Sequence, residues 1–183
     1  MAATIAYHHV NVLTGIKTAK EVAEAEALAT TIDKAERPLF VLGGSFIDYS
    51  LDGKPLVEYM IKLARAGKMP VVATAHTELA LTRYGVVPEN SYDAVELLHR
   101  LKDPDWKGVK KEGNHDLVVF LGFRTDFGNQ SLSVLKHFAP HLKTMTLCKY
   151  YFPNASFSLP NFKKDEKWVA FLESLIENLK KGD

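Results

Sequence analysis

The sequence predicts an α/β fold built on a mainly parallel sheet, and three observations predict it. Short unbroken apolar runs at Leu39–Leu42, Pro70–Thr74 and Leu117–Leu121 read as strands covered on both faces. Stretches with apolar residues at helical spacing separate these runs, and Gly or Pro marks most of the junctions. Strands that alternate with helices in this way build a parallel sheet with helices packed on it.

Taken in order, Thr18 and Glu21 make a T-x-x-E capping box, which predicts a first helix through Val22, Ala25, Ala29 and Ile32 to about Ala35. Arg37-Pro38 ends that helix, and Leu39-Phe40-Val41-Leu42 is the first core strand, stopped by Gly43-Gly44. Pro55 suits a first helical turn; Val57, Met60, Ile61 and Ala64 then share one stripe, with Gly67 where a C-terminal cap stands. The strand Pro70-Val71-Val72-Ala73-Thr74 completes a βαβ unit, expected to be right-handed.

Between Ala75 and Pro88 the pattern fits a short helix to Tyr84 and a minor strand or turn over Gly85-Val86-Val87-Pro88, without separating the two. Ser91 is expected to cap a helix carrying Ala94, Leu97, Leu98 and Leu101. Lys102 to Asp116 reads as a long surface loop, with Trp106 and Val109 almost its only apolar content. Leu117–Leu121 is the clearest strand, ended by Gly122. A helix runs from about Gly128 to Phe138 before Pro140, and Thr144–Cys148 is a last strand. Asp165 is expected to cap a final helix with Val169, Leu172, Ile176 and Leu179 on one side.

The chain has 183 residues, the size of one domain, and residues 1–183 are read as one. Lys and Arg number 23 against 22 for Asp and Glu, so no basic field points to nucleic acid. No apolar run approaches the roughly 20 residues that span a bilayer, so no membrane partner is expected. The start lacks the basic and apolar regions of a signal peptide, so a cytoplasmic location is expected. A single cysteine, Cys148, builds neither a disulfide nor an iron–sulfur cluster by itself.

Ligands of such sheets bind at the carboxyl ends of the strands, which directs attention to Gly43, Gly44, Ser45, Thr74, His76, Gly122, Phe123 and Arg124. Glycines there let a backbone approach a pyrophosphate, and Arg124 can pair with its charge; equally, glycines after strands simply turn the corner. Neither G-x-G-x-x-G nor G-x-x-x-x-G-K-[ST] occurs. Gly43-Gly44-Ser45-Phe46-Ile47 lacks the second glycine of a nucleophile elbow. His137 and His141 have a zinc-like spacing, but Pro140 lies between them and no third ligand is evident; His8-His9 point to opposite sides of an extended segment. No catalytic or metal-ligating residue is assigned. Tyr150 to Phe162 concentrates five aromatics between a strand and the last helix. Those rings either pack on the chain's own sheet or form an interface with another chain, an option that Trp106 also favours.

Several phrases resemble one family. Asp103-Pro104-Asp105-Trp106-Lys107-Gly108, Gly113-Asn114-His115-Asp116, Val119-Phe120-Leu121-Gly122-Phe123 and Asn129-Gln130 are similar to the epsilon subunit of the archaeal carbon monoxide dehydrogenase/acetyl-CoA synthase, or acetyl-CoA decarbonylase/synthase, complex. The likeness continues through Leu142-Lys143-Thr144, Lys34-Ala35-Glu36-Arg37-Pro38-Leu39 and Pro70–Thr74, and covers most of the chain. It implies a Rossmann-like domain similar to the deoxyhypusine-synthase-like NAD/FAD-binding fold. It also implies an accessory subunit in archaeal one-carbon metabolism and methanogenesis, joined to a nickel- and iron–sulfur-containing alpha subunit as alpha2-epsilon2. Two roles follow from the resemblance: stabilisation of that alpha subunit, or electron transfer to FAD with Gly43, Gly44, Thr74, Gly122 and Phe123 around the cofactor. A homo-oligomer of the isolated chain is compatible with either.

Overall fold

The computed structural model describes residues 17–47, 49–51, 53–74 and 77–181. Its strands are β1 (Lys20–Glu21), β2 (Pro38–Leu42), β3 (Ser50–Leu51), β4 (Lys54–Pro55), β5 (Val71–Thr74), β6 (Asn90–Tyr92), β7 (Leu117–Leu121), β8 (Lys143–Thr146) and β9 (Phe157–Ser158). The helices are α1 (Ala25–Asp33), α2 (Leu56–Ala66), α3 (Thr77–Arg83), α4 (Ala94–Lys102), α5 (Thr125–Phe138) and α6 (Asp165–Lys181). Seven strands form one parallel sheet in the order β1-β9-β8-β7-β2-β5-β6, while β3 and β4 make a small antiparallel hairpin. From β2 the chain moves outward to β5 and β6, then α4 returns it to β7 on the other side of β2. This is a doubly wound, Rossmann-like order, with its switch point between β2 and β7. Helices α1, α2 and α6 pack together, as do α4 and α5.

The central strands are apolar throughout because both of their faces are covered: Leu39, Phe40, Val41, Val118, Val119 and Leu121 have no exposed surface. Their register is flush, Pro38 opposite Leu117 through Leu42 opposite Leu121. That register brings Gly43 and Gly122 side by side at the exit.

Four sequence expectations change. The Thr18/Glu21 box does not start a helix. Lys20 and Glu21 form β1, with Lys20 N–H donating to Ser156 at 3.0 Å and Val22 N–H to Ser158 at 2.9 Å, and α1 begins at Ala25. An edge of a long sheet offers these amides carbonyl partners, and such tertiary pairing outweighs a local cap. Ser91 lies in β6 beside Ala73; the cap of α4 is Asp93, whose carboxylate accepts the Val95 N–H at 2.8 Å. Helix α5 starts three residues before Gly128. Asp165 is already helical, and its carboxylate is held by the Tyr49 hydroxyl at 2.7 Å and the Lys149 ammonium at 2.6 Å. Both partners hold that carboxyl below its ordinary range, Lys149 foremost. The stretch left open resolves as helix α3 followed by a turn, with Gly85 at a φ of +69°. At the end of α2 a non-glycine residue, Lys68, takes the left-handed position, and Met69 N–H closes the cap on Ala64 at 2.9 Å.

The aromatic segment packs on its own fold. Phe152 is fully buried, Phe162 lies against Phe171 at 5.8 Å, the Tyr151 hydroxyl donates to the Ala19 carbonyl at 2.7 Å, and Tyr150 alone among them is mainly exposed. Trp106 is likewise taken up internally, edge-on to Tyr92 and tilted on His115.

The loop before β7 is tied down by the phrase Gly113-Asn114-His115-Asp116. The two Asp116 oxygens accept the N–H groups of Arg37 at 2.7 Å and Glu36 at 3.0 Å, and Asn114 Nδ2 donates to the Asp103 carbonyl at 2.9 Å. His115 is buried; its Nε2 accepts the Val109 N–H at 3.3 Å, so the proton sits on Nδ1, 3.0 Å from the Arg37 carbonyl. Burial holds this imidazole below its ordinary range. With the folded pKa below the unfolded one, the unfolded chain binds the extra proton and stability rises with pH between the two values. The His115 contribution is therefore complete above about pH 6.5 and is lost as pH falls through the folded value. Hydrogen exchange at the Val109 amide, corrected for its intrinsic rate, is expected to accelerate relative to Val119 between about pH 7 and about pH 5. An unchanged ratio would show that His115 does not hold the loop.

Candidate functional site

A crevice of about 900 Å³ opens at the carboxyl ends of β2, β5 and β7, the switch point of the sheet. The start of α4 reaches it through Ala94 and the start of α5 through Arg124 and Asp126, while α3 contributes Leu79, Ala80 and Arg83. All five residues singled out from the sequence, Gly43, Gly44, Thr74, Gly122 and Phe123, line it. Ser45 and Arg124 do so too, whereas His76, like His8 and His9, lies outside the described residues.

Much of what these residues offer is used by the fold itself. Gly43 N–H donates to the Leu121 carbonyl at 2.9 Å and Ser45 N–H to the Gly122 carbonyl at 3.0 Å, so the two strand exits are stitched together. A Cβ on Gly43 would stand 2.3 Å from the Gly122 oxygen; this glycine is needed for the approach of one backbone to another. Gly122 itself turns at a φ of +86°. The Thr74 hydroxyl donates to the Leu42 carbonyl at 2.7 Å and its N–H to Thr77 Oγ1 at 2.7 Å, clasping β5 to β2. Phe123 is nearly buried, edge-on to Phe120 at 5.3 Å and stacked on Phe127 at 6.5 Å. Gly44 differs, since a Cβ there would meet nothing closer than Ile47 Cδ1 at 4.0 Å.

Arg124 at the mouth is paired with Asp126. The Arg124 guanidinium grips Asp126 with Nη2 at 2.7 Å and Nε at 3.2 Å. The Asp126 carboxyl is lowered first by the Phe127 N–H and then by Arg124. Both side chains are mainly exposed, so the pair adds little stability and opens at small cost to an incoming anion. The apolar wall comes from Leu79, Phe123 and Phe127, of which Leu79 is 68 % exposed. Sequence reading missed Leu79, Arg83 and Phe127. The first two sit in the stretch whose helix was ambiguous, and Phe127 precedes the expected start of α5, although Phe123 and Phe127 have the four-residue spacing of partners on a helix end.

Among the described residues neither metal nor thiol chemistry gathers here. Among the described residues no three His, Cys, Asp or Glu side chains converge as a metal site. His141 sits 3.4 Å from Asn114 Nδ2, and His137 lies beside Phe138. Cys148 is buried beneath the crevice, and burial pushes its thiol up to about 11 against the opposing pull of the Phe123 and Gly122 backbone. No helix among the described residues is long and apolar enough to cross a membrane.

A family model described as CO dehydrogenase beta subunit/acetyl-CoA synthase epsilon subunit matches residues 4–176. The acetyl-CoA decarbonylase/synthase complex subunit epsilon of Methanothermobacter thermautotrophicus is 43 % identical over 150 residues, 82 % of this chain and 83 % of that protein. Subunit epsilon 1 of Archaeoglobus fulgidus is 35 % identical over 84 % of this chain and 82 % of its own length. Subunit epsilon 2 of Methanosarcina mazei is 32 % identical over 90 % of this chain and 92 % of its own length.

Proposed function

Because the chain belongs to the CO dehydrogenase beta subunit/acetyl-CoA synthase epsilon subunit family, we propose that it is an accessory subunit stabilising the nickel- and iron–sulfur-containing alpha subunit of a cytoplasmic alpha2-epsilon2 component. The observation that carries this reading is the state of its only thiol. Cys148 is the one cysteine of the chain and is enclosed in the core, so the chain by itself does not assemble the thiolate set of a cluster, which supports a role exercised through a partner. A partner that binds only the folded alpha subunit stabilises it by mass action, about 2.7 kcal/mol at a hundredfold excess over Kd. Alpha subunit prepared without this chain is expected to melt several degrees lower and to recover on its addition. Equal Tm and native assembly without it would overturn the role.

Electron transfer with FAD is the second reading, favoured by the size and place of the crevice. The fit is partial. Gly44 presents an open backbone, Arg83 and Arg124 supply positive charge for a diphosphate, and Leu79 and Phe127 supply an apolar wall, whereas Gly43, Thr74 and Gly122 spend their hydrogen bonds internally. When bound, the flavin would supply the redox chemistry that side chains lack. Titration of FAD followed by flavin fluorescence separates the readings: quenching that Gly44→Val abolishes supports the cofactor. No binding at submillimolar FAD, with or without the alpha subunit, leaves the structural role alone.

A further inference from the structure

The two guanidinium groups of the crevice are not equivalent. Among the described residues that line it, Arg83, Arg124 and Asp126 carry charge. Arg124 is committed: Nη2 and Nε reach the two Asp126 oxygens at 2.7 Å and 3.2 Å, and the Phe127 N–H adds a further bond to the same carboxylate. Arg83 is not. Among the described residues its guanidinium has no ion pair, hydrogen bond or ring contact.

Topology separates the two as well. Helix α3 follows β5 and α5 follows β7, and these strands flank β2, so Arg83 and Arg124 enter the crevice from different sides. Leu79, Ala80 and Arg83 share one face of α3, since i and i+4 are neighbours on a helix, and all three line the crevice. A basic residue in a last turn also complements the helix dipole, which accounts for the charge of Arg83 but not for its sharing that face with Leu79.

A phosphate taken by Arg124 must first displace a carboxylate, so the gain is only the difference between two anionic partners. Taken by Arg83 it displaces water, and the charge-assisted bond is gained whole. We infer that Arg83 anchors the anionic group of a ligand bound in the crevice, while Asp126 withholds Arg124 from it. The ligand class is a phosphate or diphosphate joined to a flat apolar part that meets Leu79 and Phe127. This rests on the cofactor reading above and assigns the residue that decides affinity within it.

The test is FAD affinity by flavin fluorescence, with ADP as a competitor that has the diphosphate but no flavin, and with melting of each variant measured alone. Arg83→Gln is expected to weaken FAD about tenfold or more and to flatten the fall of affinity with added salt. Arg124→Gln is expected to stay within about threefold of wild type, because its charge is already spent. Asp126→Asn, which frees Arg124, is expected to tighten binding about threefold or more. Should Arg83→Gln melt lower than wild type, Arg83→Lys keeps the charge and is expected to keep the salt dependence; its loss there would overturn the assignment. So would Arg83→Gln binding within about twofold of wild type, or Arg124→Gln losing more affinity than Arg83→Gln. If wild-type chain binds neither FAD nor ADP, with or without the alpha subunit, the cofactor reading falls and the assignment with it; if it binds both and Arg83→Gln binds them equally, only the assignment falls.

Discussion

Phe152→Ala is expected to lower the unfolding free energy by about 3–5 kcal/mol, the range for removing a fully buried aromatic ring. The ring has no exposed surface, and it fills the space between α5 and the segment after β8. A Cβ on Gly128 would touch it at 2.6 Å, so the helix backbone packs directly against the ring, and alanine leaves a gap there. Phe120, Leu132 and Cys148 line the same small space. Its main chain is fixed too, the Phe152 N–H donating to Ser158 Oγ at 2.9 Å. A domain of this size loses roughly 2–4 °C of Tm per kcal/mol, so a fall of about 6–20 °C is expected. Tyr150→Ala, half exposed two residues earlier, should change Tm by little. Denaturant titration of the isolated chain checks both. A Phe152→Ala loss below about 1 kcal/mol would return the aromatic segment to the interface reading.

Gly43→Ala is expected to cost about 3 kcal/mol, the upper end of what overpacking does in a tightly packed place. The added carbon would lie 2.3 Å from the Gly122 oxygen and 2.9 Å from Phe123 Cδ2. Backbone cannot yield as a flexible side chain would, because the Gly43–Leu121 and Ser45–Gly122 hydrogen bonds and the flush β2–β7 register hold both loops. Gly44→Ala, one residue on and facing open space, is expected to stay within about 1 kcal/mol of wild type. The pair of midpoints measures how firmly the floor of the crevice is built; equal midpoints would mean that the loops part easily.

Strands β2, β5 and β7 were legible because a strand buried on both faces must be apolar at every position, and Leu39–Leu42, Val71–Thr74 and Leu117–Leu121 are nearly so. Strands β1, β6 and β9 were not, since two or three residues such as Lys20-Glu21 or Asn90-Ser91-Tyr92 carry no period. They are strands because neighbouring strands accept their hydrogen bonds, β1 and β6 at the two edges and β9 between β1 and β8. Thr18 and Glu21 show the conflict openly: the local capping signal is genuine, yet the carbonyls of Ser156 and Ser158, more than a hundred residues away, claim that backbone.

The site divides in the same way. Glycines after two apolar strands, read from sequence, place Gly43, Gly44 and Gly122 at a switch point, since in-register parallel strands must end together. How closely those glycines approach each other depends on distances that no spacing encodes: a Gly43 Cβ would stand 2.3 Å from the Gly122 oxygen. Sequence by itself determined the α/β class, the central strands, the solitary thiol and the family likeness. Only the tertiary structure decided the edge strands, the inward packing of Phe152, and which crevice groups are already spent. The physical reason is that period and composition act along the chain, whereas hydrogen-bond partners and close approach are set by what folding brings across it.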